Sequence, residues 1–96
     1  MRMIKFTSRF KKDLKRESKG QYGKSLGADL SQVLDMLASD ISLPEKYRDH
    51  ALTGNWKDHR DCHVKPDLVL IYQKTDDGEL LILQLVRLGS HSELGL

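Results

Sequence analysis

A single cysteine, Cys62, stands in the 96 residues, so no internal disulfide can staple this chain, and a reducing compartment suits it. Prolines are only two, Pro44 and Pro66, and each marks a break between stretches that are otherwise free to form regular elements. Aromatic residues make up 6% of the chain, which leaves the core to aliphatic side chains. No apolar run approaches the roughly 20 residues of a membrane span. The opening MRMIKF meets charge too soon for a secretory leader, so a cytoplasmic protein without membrane association is expected. With 39% hydrophobic and 31% charged residues the composition is that of a folded protein, and the length suits one small domain over 1–96.

Acidic residues are scarce in the first quarter. Through Lys24, nine Lys and Arg face only Asp13 and Glu17, a local balance of +7 against −5 for the remainder. Such a block is an electrostatic footprint for RNA, DNA or an acidic protein segment, with a solvated helix face as the duller alternative.

Met3 to Thr7 is suited to a strand, and Ser8 can cap a helix through about Ser18 in which Phe10 and Leu14 share a face. Gly20 and Gly23 interrupt it. From about Ser25, Leu30, Val33, Leu34, Leu37 and Ile41 recur at helical spacing, and Leu43-Pro44 ends that second helix. The pattern then changes to sheet: His59 to Val64, a Pro66-Asp67 turn, Leu68 to Lys74, an Asp76-Asp77-Gly78 hairpin turn, and Glu79 to Leu88. The nearly continuous apolar runs LVLIY and LLILQLV read as central strands of a sheet covered on one face by helices and partly closed on the other. The fold class is α+β, a small antiparallel sheet with a mixed edge and two N-terminal helices on one face, in the order β-α-α-β-β-β.

What is present is concentrated. The nineteen residues from Asp49 to Asp67 hold three of the four histidines, the only tryptophan and the only cysteine, and His91 comes near the end in RLGSH. Alternation in a strand sets His59, Asp61 and His63 on one face and Arg60, Cys62 and Val64 on the other. Strand ends could gather His50, His63, Asp67, Arg87 and His91 onto one rim. Two imidazoles and one or two cations suffice to cut RNA: a base takes the 2′-hydroxyl proton, an acid protonates the leaving 5′-oxygen, and cations neutralise the transition state. Asp67 fits the role of a carboxylate that orients a histidine and raises its pKa. His63 or His50 is the expected base and His91 the expected acid, without a cofactor.

Other readings compete residue by residue. His59 alone reads as an incidental surface residue, Trp56 as packing, Cys62 as a small buried apolar side chain, and Gly54 and Gly89 as turn residues needing positive φ. Lys57 can be solvated or can contact phosphate. A metal held by His59, Asp61 and His63 is the weaker proposition, because the spacing matches no compact zinc pattern and Cys62 lies on the opposite face.

The ordered set Asp49-His50-Ala51-Leu52, Gly54, Trp56-Lys57, Arg60-Asp61, His63, Pro66-Asp67, Leu70-Ile71-Tyr72, then Arg87, Gly89 and His91, resembles the YafQ branch of the RelE/ParE toxin superfamily across the whole chain. The resemblance implies a RelE-like fold and the toxin of a bacterial type II toxin–antitoxin pair. Such a toxin is an endoribonuclease (mRNA interferase) that enters the ribosomal A site and cleaves mRNA by metal-independent acid–base chemistry, inhibiting translation. It implies His50, His63, Asp67 and His91 as the catalytic set, with Arg87 assisting at the phosphate. Lys11, Lys12, Lys15 and Arg16, with Lys57 and Arg60, become the expected RNA- and ribosome-binding cations. Partners would be the ribosome, mRNA and a cognate antitoxin in a toxin–antitoxin complex, a heterotetramer, with operator DNA bound only through the antitoxin. The sequence departs from the family pattern at Asp58, Leu68 and Gly95, where a glycine and two aromatics commonly stand. The competing classes are a non-catalytic, ParE-like gyrase inhibitor, which would carry no histidine set, and a plain RNA-binding module.

Overall fold

The computed structural model describes residues 1–96. Strand β1 (Met3–Phe6) leads into helix α1 (Ser8–Ser18), then helix α2 (Gly23–Ala38). Thr7, one residue before the expected cap, closes the start of α1 by accepting a hydrogen bond from the Phe10 N–H. α2 stops earlier than its apolar stripe predicts. Asp40 takes φ 56°, which turns the chain out of the helix, and Ile41 is left exposed instead of continuing the buried stripe of Leu26, Leu30, Val33 and Leu37.

A 3-10 turn (Glu45–Tyr47), the two-residue strand β2 (His50–Ala51) and a second 3-10 turn (Gly54–Trp56) precede the long strands β3 (Arg60–Lys65), β4 (Leu68–Asp77) and β5 (Leu80–Gly89). A four-residue helix, α3 (His91–Leu94), closes the chain. Neither β2 nor α3 is long enough to show a period, and neither is expected from the pattern of the sequence. The sheet has the order β1-β5-β4-β3-β2, antiparallel except where β1 runs parallel to β5, so the mixed edge is at β1.

The apolar strands are covered twice. Cys62, Val64, Leu68, Leu70, Tyr72, Leu83, Leu85 and Leu88 pack with Phe10 and the stripe of α2. On the other face Val69 and Ile71 are covered by Leu94 of α3, with Leu52, Trp56 and Val86 beside them. Asp61 and His63 belong to this second face, as the alternation requires.

A register shift opposite Ile71 and Tyr72 makes Val86 an extra residue in β5. Beyond this bulge Leu88 enters the helix-side core opposite Leu70, and Arg87, opposite Ile71, reaches α1, where its Nε lies 2.7 Å from Asp13 Oδ2. Asp13, only 3% exposed, also accepts from the Leu88 N–H and from Arg16. Burial pushes the Asp13 carboxyl up, but Arg87, the Leu88 N–H and Arg16 together bring it below the ordinary range.

Candidate functional site

The Pro66-Asp67 turn and the start of α3 meet beside the end of β3. A capping box fixes α3: the Glu93 N–H donates to Ser90 Oγ, and the Ser90 N–H donates to Glu93 Oε1 at 2.9 Å. Leu94 anchors the helix on Val69 and Ile71. His91 is thereby carried across β4 to His63, and the two rings meet edge to face with centroids 4.9 Å apart.

Asp67 serves His91. Its Oδ1 is 3.1 Å from His91 Nδ1 and 3.4 Å from the His91 backbone nitrogen, so it accepts from both and directs His91 Nε2 away from the turn. These hydrogen bonds hold the Asp67 carboxyl below its usual range. The orienting role expected of Asp67 therefore falls on His91, while His63 is set by its strand. Burial, then the charge of His91 and more weakly of Arg48 and His50, lowers the pKa of His63, with Asp61 acting in the opposite sense.

His50, on β2, lies opposite Asp61 of β3. Its Nδ1 is 2.8 Å from the Arg48 carbonyl oxygen and 3.1 Å from Asp61 Oδ1. Both neighbours are acceptors, so Nδ1 carries the proton and Nε2 is left with the lone pair. That N–H is directed at the carbonyl, and Asp61 Oδ1 accepts no well-aligned hydrogen bond. Burial raises the pKa of Asp61 against the pull of His50, His63 and His91.

Two open clefts meet at His63. One, of about 760 Å³, runs past Asp29, Lys46, Arg48 and Lys65, and the other, of about 800 Å³, past Lys46, Arg48, Asp49 and His50. Lys46, Arg48 and Asp61 belong to this site although sequence reasoning did not choose them. Asp61 had a signal, its place on the His63 face of the strand. Lys46 and Arg48 had none beyond proximity to His50, since the 3-10 turn that aims them is not periodic.

Other expected residues lie elsewhere. Arg87 pairs with Asp13, with its side chain 14% exposed. Arg16 is tied to Asp13, Glu17, Glu93 and the Leu88 carbonyl oxygen, so it joins α1 to the end of the sheet. Arg60 pairs with Asp49, which also accepts from the buried Tyr72 hydroxyl. Lys57, Lys11, Lys12 and Lys15 are exposed. His59 lies just before β3, edge-on to Trp56 at 5.5 Å, with its Nδ1 3.1 Å from the Lys57 carbonyl oxygen. Cys62 is fully buried, and burial pushes its thiol far above the ordinary value, so it is inert packing.

Two glycines act differently from each other. Gly54 takes φ 66° at its turn, as expected. Gly89 is instead a close approach: a Cβ there would lie 2.9 Å from the Arg16 guanidinium. Gly95, where the family pattern carries an aromatic, ends α3 at φ 72°, a conformation that an aromatic residue adopts only with strain.

A mixed sheet backed by two helices, with imidazoles and carboxylates assembled at the end of β3 by a C-terminal turn, has the α+β architecture of solved YafQ toxins. The chain belongs to the family described as bacterial toxin of type II toxin–antitoxin system, YafQ, whose model matches residues 2–95. It is 35% identical to the mRNA interferase toxin YafQ of Escherichia coli strain K12 over 94 residues, covering 97% of this chain and 95% of that one. Among solved structures, a copper-bound mutant toxin from Helicobacter pylori superposes with a TM-score of 0.82 at 36% identity, over 98% of this chain and 99% of that one. The E. coli DinJ–YafQ complex gives 0.76 at 33% identity, over 98% of both chains.

Proposed function

We propose that this chain is a toxin that cuts mRNA on the ribosome by imidazole acid–base catalysis, and that a cognate antitoxin holds it inactive. The observation that carries the reading is the His63–His91 ring pair with Asp67 behind His91, on a chain whose E. coli relative is named an mRNA interferase. In the proposed step His63 takes the proton from a ribose 2′-hydroxyl, the 2′-oxygen bonds to phosphorus, the bond to the 5′-oxygen breaks, and His91 delivers its proton to that oxygen. The products are a 2′,3′-cyclic phosphate and a free 5′-hydroxyl.

Burial and the charge of His91 lower the pKa of His63 and so favour its unprotonated form, the form that a general base needs. Asp67 holds Nδ1 of His91, so that Nε2 does the donating. His50 presents its Nε2 lone pair to the same cleft and can accept a hydrogen bond from the ribose. Likeness to the DinJ–YafQ complex supports an antitoxin partner, through which operator DNA would be bound.

The test adds purified protein to translating ribosomes and maps the mRNA ends. His63→Ala and His91→Ala are each expected to cut about 10²- to 10⁴-fold more slowly than wild type. Cutting by both at the wild-type rate would refute the assignment, and arrested gyrase with intact mRNA would favour the inhibitor class.

A further inference from the structure

We propose that Arg48, seconded by Lys46, binds the scissile phosphodiester and neutralises its developing charge, the task that the family resemblance implies for Arg87. This role rests on the RNA-cutting reading above and names the group that holds its substrate.

Placement is the first support. Arg48 and Lys46 line both clefts that converge on His63, so a backbone lying in either passes them. The second is availability. Arg87 is claimed by Asp13, Arg60 by Asp49 and Lys65 by Asp29 at 2.7 Å, whereas Arg48 and Lys46 have no carboxylate partner. Lys46 lies over the Tyr47 ring at 5.0 Å, which keeps its ammonium at the cleft wall.

The backbone supplies the third. Arg48 sits at φ 49°, ψ 41°, a left-handed conformation unusual for a residue with a side chain, while its N–H donates to the Glu45 carbonyl oxygen at 2.9 Å. In that conformation its carbonyl accepts from His50 Nδ1, so one residue fixes an imidazole through its backbone and extends a guanidinium into the same cleft. Strain held in this way at a site points to use. A planar guanidinium suits two phosphate oxygens at once, and charge grows on those oxygens as the 2′-oxygen adds.

The test compares wild type with Arg48→Gly and Arg48→Lys. Glycine adopts the left-handed geometry without strain, so Arg48→Gly removes the side chain from a backbone that still folds, and lysine keeps the charge. Single-turnover mRNA cleavage on ribosomes is measured against pH, and occupancy is measured on ribosomes whose mRNA carries a 2′-deoxy sugar at the cut site. Arg48→Gly is expected to cut about 10²-fold more slowly or worse, with its acid limb moved to higher pH because a cation has left the neighbourhood of His63. Arg48→Lys should recover much of the rate and keep the wild-type limb. If wild type cuts and Arg48→Gly matches it in rate and limb, the role of Arg48 falls and the RNA-cutting reading stands. If wild type leaves mRNA whole, both fall.

Discussion

Asp61 is a carboxyl group 2% exposed, with one oxygen lacking a well-directed donor, next to three imidazoles. Burial raises its pKa above that of the unfolded chain, about 3.9. The sign of the linkage is then fixed: its contribution to stability is full below that unfolded value and is lost as pH rises through the folded one. Asp61→Asn removes this loss and keeps a carbonyl oxygen facing His50. The variant should melt at a higher temperature than wild type at pH 7, with the gap narrowing toward pH 4 in a calorimetric series. A lower melting temperature at pH 7 would mean that attraction to His50 outweighs burial. Asp13 shows the opposite balance. There the donors win, and the carboxylate contributes stability above the unfolded pKa that is lost as pH falls through its lowered folded value.

Among the elements, α3 carries the acid candidate and has little to hold it. Four residues cannot form a stable isolated helix, so its position depends on the Ser90–Glu93 capping box and on Leu94. Leu94→Ala should cost about 2–5 kcal/mol in urea unfolding if the site is fully formed in the native state. It should also slow mRNA cutting at temperatures where the protein stays folded, because His91 loses its placement against His63. An unchanged cutting rate in folded Leu94→Ala would show that Asp67 alone positions the ring. The legibility of the elements obeys the same logic. The stripe of α2, the three long strands and the alternation that separates Asp61 and His63 from Cys62 and Val64 are periodic, and period is readable from sequence. The end of α2 at Asp40, the two-residue β2, α3 and the β5 bulge depend on a few backbone angles. The pairing of Arg87 with Asp13, although its registry partner Ile71 lies on the histidine face, is likewise not written in any period.

For the molecule as a whole, charge and chemistry occupy different places. The outward side of α1 and its C-cap carry Arg9, Lys11, Lys12, Lys15 and Lys19, exposed and without ion-pair partners, while the clefts at His63 are lined by Lys46, Arg48 and Lys65. Arg16 belongs to neither group. Its guanidinium, paired with Asp13 within α1, ties that helix to Glu93 and the Leu88 carbonyl oxygen, so replacing it would disturb the fold along with any docking. The three lysines can therefore be reversed in charge without touching the core or the imidazoles. Lys11→Glu, Lys12→Glu and Lys15→Glu combined should weaken ribosome association strongly at low salt, with a shallower dependence of affinity on salt than wild type, by roughly 0.7–0.9 in slope for each phosphate no longer neutralised. At saturating ribosome concentration the cutting rate should return to near the wild-type value, a change in KM with kcat retained. His63→Ala should show the reverse, normal occupancy with kcat lost. If the triple variant instead loses kcat at saturation, the basic helix touches the mRNA being cut, and the cluster from Asp49 to Asp67 does not hold the substrate alone.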